Sequence, residues 1–332
     1  MFAALMADIG ARMSNPTPQQ LAQSGTLEEL YSQLSPIRMG AGWAKPTPSL
    51  WAEPRKNFQP FVWSYAQAKG ALDAAGRLIN TELAERRNLI LQNPAEGYAT
   101  SRTIVCAYQM IMPGEKARSH RHTPNALRLI VDAEPGAYTI VNGERLSMMP
   151  GDVVLTPNWC WHGHGNDSRA CAYWLDVLDV PLVHLLEPMF FEPHPDDFEK
   201  ESVVPNASPM HFPWHETRAR LADAASRSDG HAAEVALDAA LDTMALSMIG
   251  LAAGQSTRTR KVMANSVFGV VQGSGTTEVE GAKLAWNRGD VIVVPSWREH
   301  THASDSGAVL FRVTDEPVMR KLGFLREAGS AH

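Results

Sequence analysis

One block of this sequence occurs twice, and the repetition limits the fold more than any other feature of the chain. The stretch Gly143-Glu…Pro150-Gly-Asp-Val-Val-Leu-Thr-Pro-Asn-Trp-Cys-Trp-His-Gly-His164 returns as Gly281-Ala…Arg288-Gly-Asp-Val-Ile-Val-Val-Pro-Ser-Trp-Arg-Glu-His-Thr-His302, at a constant offset of 138 residues from Gly143 to Gly281. Gly143, Gly151, Asp152, Pro157, Trp159, His162 and His164 each meet an identical residue in the second copy. Repetition of this kind means one structural unit built twice. The unit is rich in β-branched residues. Short apolar runs at 104–112, 126–131, 137–141, 153–156 and 171–178 alternate with Gly, Pro and Asn turns, the texture of a sandwich or barrel.

The remainder is organised around these copies. Thr26 stands before a run with helical spacing and predicts a cap, and a second helical pattern covers 64–85, ahead of a strand at 88–92. Pro46, Pro48, Pro54 and Pro60 punctuate the stretch between, so residues 1–95 read as a helical and irregular arm suited to wrapping a barrel or a neighbouring subunit. Barrels are expected over 96–195 and 246–332. The linker between them, 196–245, is polar and Ala-rich, and a helix is expected over 235–248.

Composition excludes several classes. A chain of 332 residues with 44% hydrophobic content fills two ordinary cores. The 30 Lys and Arg are scattered and the net charge is −6, so nucleic acid is not an expected partner. Cys106, Cys160 and Cys171 are odd in number and show no CxxC spacing, which points to a reducing compartment. The start, Met1 to Met13, lacks a basic leader, and nowhere is there a run of the roughly 20 apolar residues a membrane span needs. The expectation is a soluble, cytoplasmic protein.

Chemistry concentrates in the first copy. Residues two apart on a strand share a face, so His120 and His122 in Gly114-Glu-Lys-Ala-Arg-Ser-His-Arg-His122 present both imidazoles together. His162 follows a turn-rich hairpin in the frame Gly151-x5-Pro157-x4-His162-x3-Asn166, and an adjacent antiparallel strand brings it beside them. These spacings resemble the two motifs of the cupin family, which implies a mainly β bicupin of two jelly-roll barrels. The glutamate many cupins add is replaced by Ala126 or Leu127, leaving three neutral histidines. Such a face leaves about three positions of an octahedral ion open and suits iron(II), with zinc as the competitor. In the second copy Arg260 and Val262 stand at the first two ligand positions and only His300 remains, so that barrel is expected to bind no metal.

A longer pattern is similar to the gentisate 1,2-dioxygenase family, which also holds salicylate and hydroxynaphthoate dioxygenases. It is carried by Pro60-Phe-Val-Trp63, Glu85-Arg-Arg87, Gln109-x-Ile-x-Pro-Gly-Glu115, His120-Arg-His-Thr-Pro-Asn-Ala-Leu-Arg128, Trp174-Leu-Asp-x-Leu-Asp-x-Pro181 and Phe190-Phe-Glu192. The resemblance implies an iron(II) enzyme that opens the ring of a small aromatic carboxylate with O2, between the carboxyl-bearing and hydroxyl-bearing carbons, in a homotetramer or dimer. Arg128 is the first choice for the substrate carboxylate, with Arg87 and Arg86 next. Gln109 is expected to touch a substrate oxygen, His164 to move a proton or hold the substrate, and Asp176 to orient a histidine. Tyr108, Val105 and Gly163 differ from the pattern of gentisate enzymes, which keeps substituted salicylates beside gentisate. The competing classes are a zinc or manganese isomerase or hydrolase and a non-enzymatic binding bicupin.

Overall fold

The structure is a computed structural model and describes residues 15–44, 50–80, 86–95, 97–228 and 230–329. Met1 to Met13, Pro46, Pro48 and Glu85 lie outside the described residues. Two units are distinguished, residues 1–55 and 56–332. In the first, helix Leu27–Leu34 starts where a Thr cap predicts, because Thr26 Oγ1 accepts the backbone N–H of Glu29 at 3.1 Å. No helix among the described residues is long and apolar enough to cross a membrane.

The second unit holds both barrels. In the first, the strands Val153–Thr156, Ala126–Asp132, Ala172–Leu178, Val105–Ile111 and Arg87–Ile90 lie side by side in one antiparallel sheet. A second sheet carries Phe191–Pro193, Lys116–His122, His162–Asn166, Ala137–Val141 and Glu144–Ser147. In the second barrel, Ala245–Leu251, Ala308–Thr314, Ser266–Val279 and Val291–Val294 pair in the same antiparallel fashion, and Phe61–Trp63 adds to its edge. Alternation of side chains sorts each strand. One face of Val105–Ile111 sends Cys106, Tyr108 and Met110 into a core that also holds Leu129, Leu175, Val267 and Phe311, so the two barrels share apolar packing.

The repeated Gly-Asp turn explains why these two residues recur. Gly151 and Gly289 take φ of +90° and +86°, and a Cβ there would come within 2.7 Å of Trp214 and 2.5 Å of Tyr65 respectively. The Asp that follows caps a helix that begins elsewhere in the chain. Asp152 Oδ1 accepts Trp214 N–H at 2.7 Å, ahead of helix Trp214–Ser226, and Asp290 Oδ1 accepts Tyr65 N–H at 2.9 Å, ahead of helix Tyr65–Leu78. Each turn thus fastens a helix onto a barrel.

The linker differs from expectation. The helix lies at Trp214–Ser226, whereas the stretch 235–248 covers the end of the strand Ala233–Leu237, a connection, and the start of its antiparallel partner Ala245–Leu251. Alanine content suggested a helix there, but Leu237, Leu241, Met244, Leu246 and Met248 are all buried in the shared core, and packing decided the outcome.

Candidate metal centre

Three imidazoles meet inside the first barrel because two neighbouring strands deliver them. His120 and His122 share one face of Lys116–His122, and His162 lies directly opposite His120 in the ladder. The ring centroids are 4.4 Å apart for His120 and His162, 4.9 Å for His122 and His162, and 5.4 Å for His120 and His122. One ligand atom from each ring lies within 4.8 Å of the others, and no other trio among the described residues converges this way.

The second nitrogens of two rings are already committed. His122 Nδ1 stands 2.8 Å from the Pro124 carbonyl and His162 Nδ1 3.0 Å from that of Cys160. A carbonyl only accepts, so each Nδ1 carries the proton and each Nε2 keeps its lone pair for a metal. Burial, followed by the Arg86 guanidinium, pushes His120 down to about 2, and burial lowers His122 to about 4. Neutral rings are the form that ligates. This donor set fits a divalent transition ion.

Around the trio stand the other expected residues. The Arg86 guanidinium runs along the His120 ring, 2.8 Å from Nδ1 and 3.1 Å from Nε2. Arg128 is buried, its Nη1 donates to Thr156 Oγ1 at 2.6 Å, and its Nε lies 3.2 Å from Asp176 Oδ1. After burial, Arg128 is the next influence lowering both His162 and His164. Its charge is therefore felt across the site. Gln109 shares the inward face of its strand, pairs in register with Trp174, and its amide makes no hydrogen bond to the described residues.

Several expectations need correction. Arg87 is no substrate anchor, because both terminal nitrogens bond the Glu115 carboxylate at 2.6 and 2.7 Å while Nε donates to the Ile79 carbonyl. Tyr108 faces away from the imidazoles, and its hydroxyl donates to the Gly289 carbonyl at 2.6 Å, so it joins the barrels together. Asp176 faces Arg128 in the ladder and steadies that guanidinium, not a histidine. Gly163 also points out of the pocket, since a Cβ there would lie 2.4 Å from Ser119 Oγ. No side chain at 163 reaches the ring. Of Tyr108, Val105 and Gly163, only Val105 shares the inward face with Gln109.

The structure adds groups that sequence reasoning left without a role. Trp174 is fully buried, its indole N–H acts on the Asp176 carboxylate two residues along the same strand face, and its ring lies 5.3 Å from that of His164. Phe191 stands on a strand paired with Lys116–His122 and sets its ring 5.1 Å from His120. Both sit within quoted motifs, yet an aromatic side chain in a strand reads as ordinary core until its neighbours are known. Thr139, in the stretch Gly136-Ala-Tyr-Thr139 that also resembles the family pattern, sets its hydroxyl 2.9 Å from His164 Nδ1.

A barrel of this topology with three converging histidines, two buried and one half-buried, defines a metal-binding bicupin. The family model for a cupin domain matches residues 107–178. The 5-aminosalicylate 1,2-dioxygenase of a Comamonas species is 37% identical, covering 92% of this chain and 91% of that one. Gentisate 1,2 dioxygenase 1 of Aquipseudomonas alcaligenes is 35% identical, covering 91% and 96%. The crystal structure of a salicylate 1,2-dioxygenase from Pseudaminobacter salicylatoxidans superposes with a TM-score of 0.83 at 27% identity, over 94% of this chain and 98% of that one. The chain belongs to the gentisate and salicylate 1,2-dioxygenase family and is a ring-cleaving dioxygenase. The isomerase, hydrolase and pure binding readings fall away.

Proposed function

We propose that the first barrel holds iron(II) through His120, His122 and His162. It cleaves the ring of gentisate or a 5-substituted salicylate between the carbons bearing the carboxylate and the ortho hydroxyl. The observation that carries this reading is three neutral imidazoles sharing a barrel interior with the buried guanidinium of Arg128. Bound iron(II) supplies open positions for the two chelating oxygens of the substrate and for dioxygen. With no carboxylate among the ligands, an anionic substrate balances the charge. A neutral ring system without a carboxylate would not.

The residues of the chain bind and orient. Arg128 is braced by Asp176 and Thr156, so its guanidinium is held for a carboxylate oxygen at little entropic cost. Arg86, against His120, is the second cation at the site. The Gln109 amide offers a donor to a substrate oxygen from the strand beside Trp174. His164 is held through Nδ1 by Thr139, next to the ligand His162, where it exchanges a proton with the ortho hydroxyl. Val105, on the inward face, sets the width at the ring substituent.

Oxygen uptake by protein loaded anaerobically with iron(II) tests this. Gentisate, salicylate, 1-hydroxy-2-naphthoate, and the 5-amino, 5-halo and 5-nitro salicylates are compared, with absorbance followed for the opened ring. One dioxygen consumed per ring opened is expected with at least one of them. No uptake with any, despite bound iron, overturns the substrate class, and equal turnover with zinc overturns the metal.

A further inference from the structure

The two barrels keep one threonine–histidine pair and change the residue that completes it. Thr139 Oγ1 stands 2.9 Å from His164 Nδ1, and Thr277 Oγ1 stands 2.7 Å from His302 Nδ1. The offset that carries Thr139 onto Thr277 and His164 onto His302 also carries Met148 onto Trp286. Both of those side chains touch the threonine hydroxyl. Met148 Sδ lies 3.3 Å from Thr139 Oγ1, and Trp286 Nε1 lies 2.9 Å from Thr277 Oγ1. All six residues are buried, so the protons are shared out among these partners alone. Burial also disfavours a charged ring in either place.

A thioether only accepts and an indole N–H only donates, so the exchange of Met for Trp turns the hydroxyl round. In the first barrel Thr139 gives its single proton to Met148 Sδ, and its oxygen is left to accept. His164 then carries its proton on Nδ1, donates it to Thr139 and keeps a lone pair on Nε2. The reverse arrangement would leave the sulfur without a donor and make one hydrogen bond where two are available. In the second barrel Trp286 donates to Thr277, whose own proton goes to His302 Nδ1, so the proton of His302 sits on Nε2. The reverse there would strand two groups, the Thr277 proton and the Nε2 lone pair, where this arrangement strands only the Nε2–H. Two neutral rings in equivalent places thus hold opposite tautomers.

We propose that Met148 and Thr139 are positioning residues that fix His164 as its Nδ1–H tautomer and so present Nε2 as a proton acceptor to the ortho hydroxyl of the substrate. His164 lies on the strand face of the ligand His162, their ring centroids 6.2 Å apart, and its Nε2 takes no partner among the described residues. When a ring binds, its O–H bond breaks, an N–H bond forms at Nε2, and the electron pair stays on the oxygen. Thr139 accepts the Nδ1–H of the imidazolium that results. The opposite tautomer would aim a donor at a donor. This role in proton transfer rests on the proposed ring cleavage; the tautomer does not.

The test is nitrogen NMR of the full chain, isotope-labelled at the histidine nitrogens and loaded with zinc as a diamagnetic stand-in for iron. Protonated and bare ring nitrogens resonate far apart, and His164→Gln and His302→Gln assign the two rings. The proton is expected on Nδ1 of His164 and on Nε2 of His302. Met148→Leu keeps the volume but removes the acceptor, and should move the His164 proton to Nε2. In the iron(II) enzyme it should lower turnover roughly tenfold or more, through kcat rather than KM. Thr139→Ser, which restores a hydroxyl, should keep the wild-type tautomer, whereas Thr139→Val should lose it. The same tautomer in both wild-type rings overturns the proposal whether or not Met148→Leu folds, and so does a His164 proton that stays on Nδ1 in that variant. A moved proton with kcat unchanged overturns the acceptor role. If the wild type opens no ring at all, the ring-cleavage reading fails and the tautomers are still read.

Discussion

In the first barrel a carboxylate at 176 faces a guanidinium at 128; in the second a guanidinium at 312 faces a phenyl ring at 268, although the two pairs hold the same register in equivalent ladders. Everything that builds the scaffold is kept. Trp159 and Trp297 take φ of +62° and +61°, and their N–H groups donate to the carbonyls of His122 and Val262. Asn125 bonds Asp179 as Asn265 bonds Asp315, and Thr139 meets His164 as Thr277 meets His302. The inward-facing residues are what changed. Backbone turns and their caps answer to the fold, while side chains that point into the barrel answer to what is bound there, so one scaffold carries two interiors.

Breaking the contrast at its centre has the largest effect. His162→Ala should abolish both bound metal and oxygen uptake, whereas His300→Ala should leave metal content unchanged, as metal analysis beside an oxygen electrode would show. Equal loss in both variants would mean that the second barrel is metallated.

Next comes the charge pair. Arg128→Met removes the proposed anchor and strands Asp176, with a loss in kcat/KM of roughly 2–4 kcal/mol, about 30- to 1000-fold, carried mainly by KM. Unchanged kinetics would transfer the role to Arg86.

Arg87→Met should instead cost stability, about 3 kcal/mol, because it leaves Glu115 without its partner. Burial alone would raise Glu115, but the hydrogen bonds from Arg87 and the Met112 N–H win and lower it. A depressed carboxylate stabilises the fold above its unfolded value and loses that contribution as pH falls. The gap in thermal midpoint between wild type and variant should therefore be widest at neutral pH and narrow below the ordinary glutamate value of 4.5. A gap that does not change with pH would deny the pair this role.

The smallest effect is expected from Tyr108→Phe, which strands the Gly289 carbonyl. It should lower stability by about 1 kcal/mol and leave turnover unaltered. A shift in KM would return Tyr108 to the pocket.

Much of this was legible beforehand. The offset between the copies located both barrels, and His-x-His on one strand with His162 on the next dictated three converging rings, because side-chain direction in a strand follows from parity alone. Parity also separates Gln109 from Tyr108, once the strand is known to run without a break. That step could have been taken from the sequence. The partner of Arg87 could not, since Glu115 lies 28 positions away on another element.

What the amino-acid order determined by itself was the repeated unit, its turn chemistry and the identity of the three ligands, all of which rest on local geometry and short spacings. Tertiary structure alone decided which arginine is spent on a salt bridge, that Ala233–Leu237 and Ala245–Leu251 pair as strands, and that Gly163 has no room for a side chain. Those outcomes depend on long-range neighbours, and burial and electrostatics act through neighbours in space, whatever their distance along the chain.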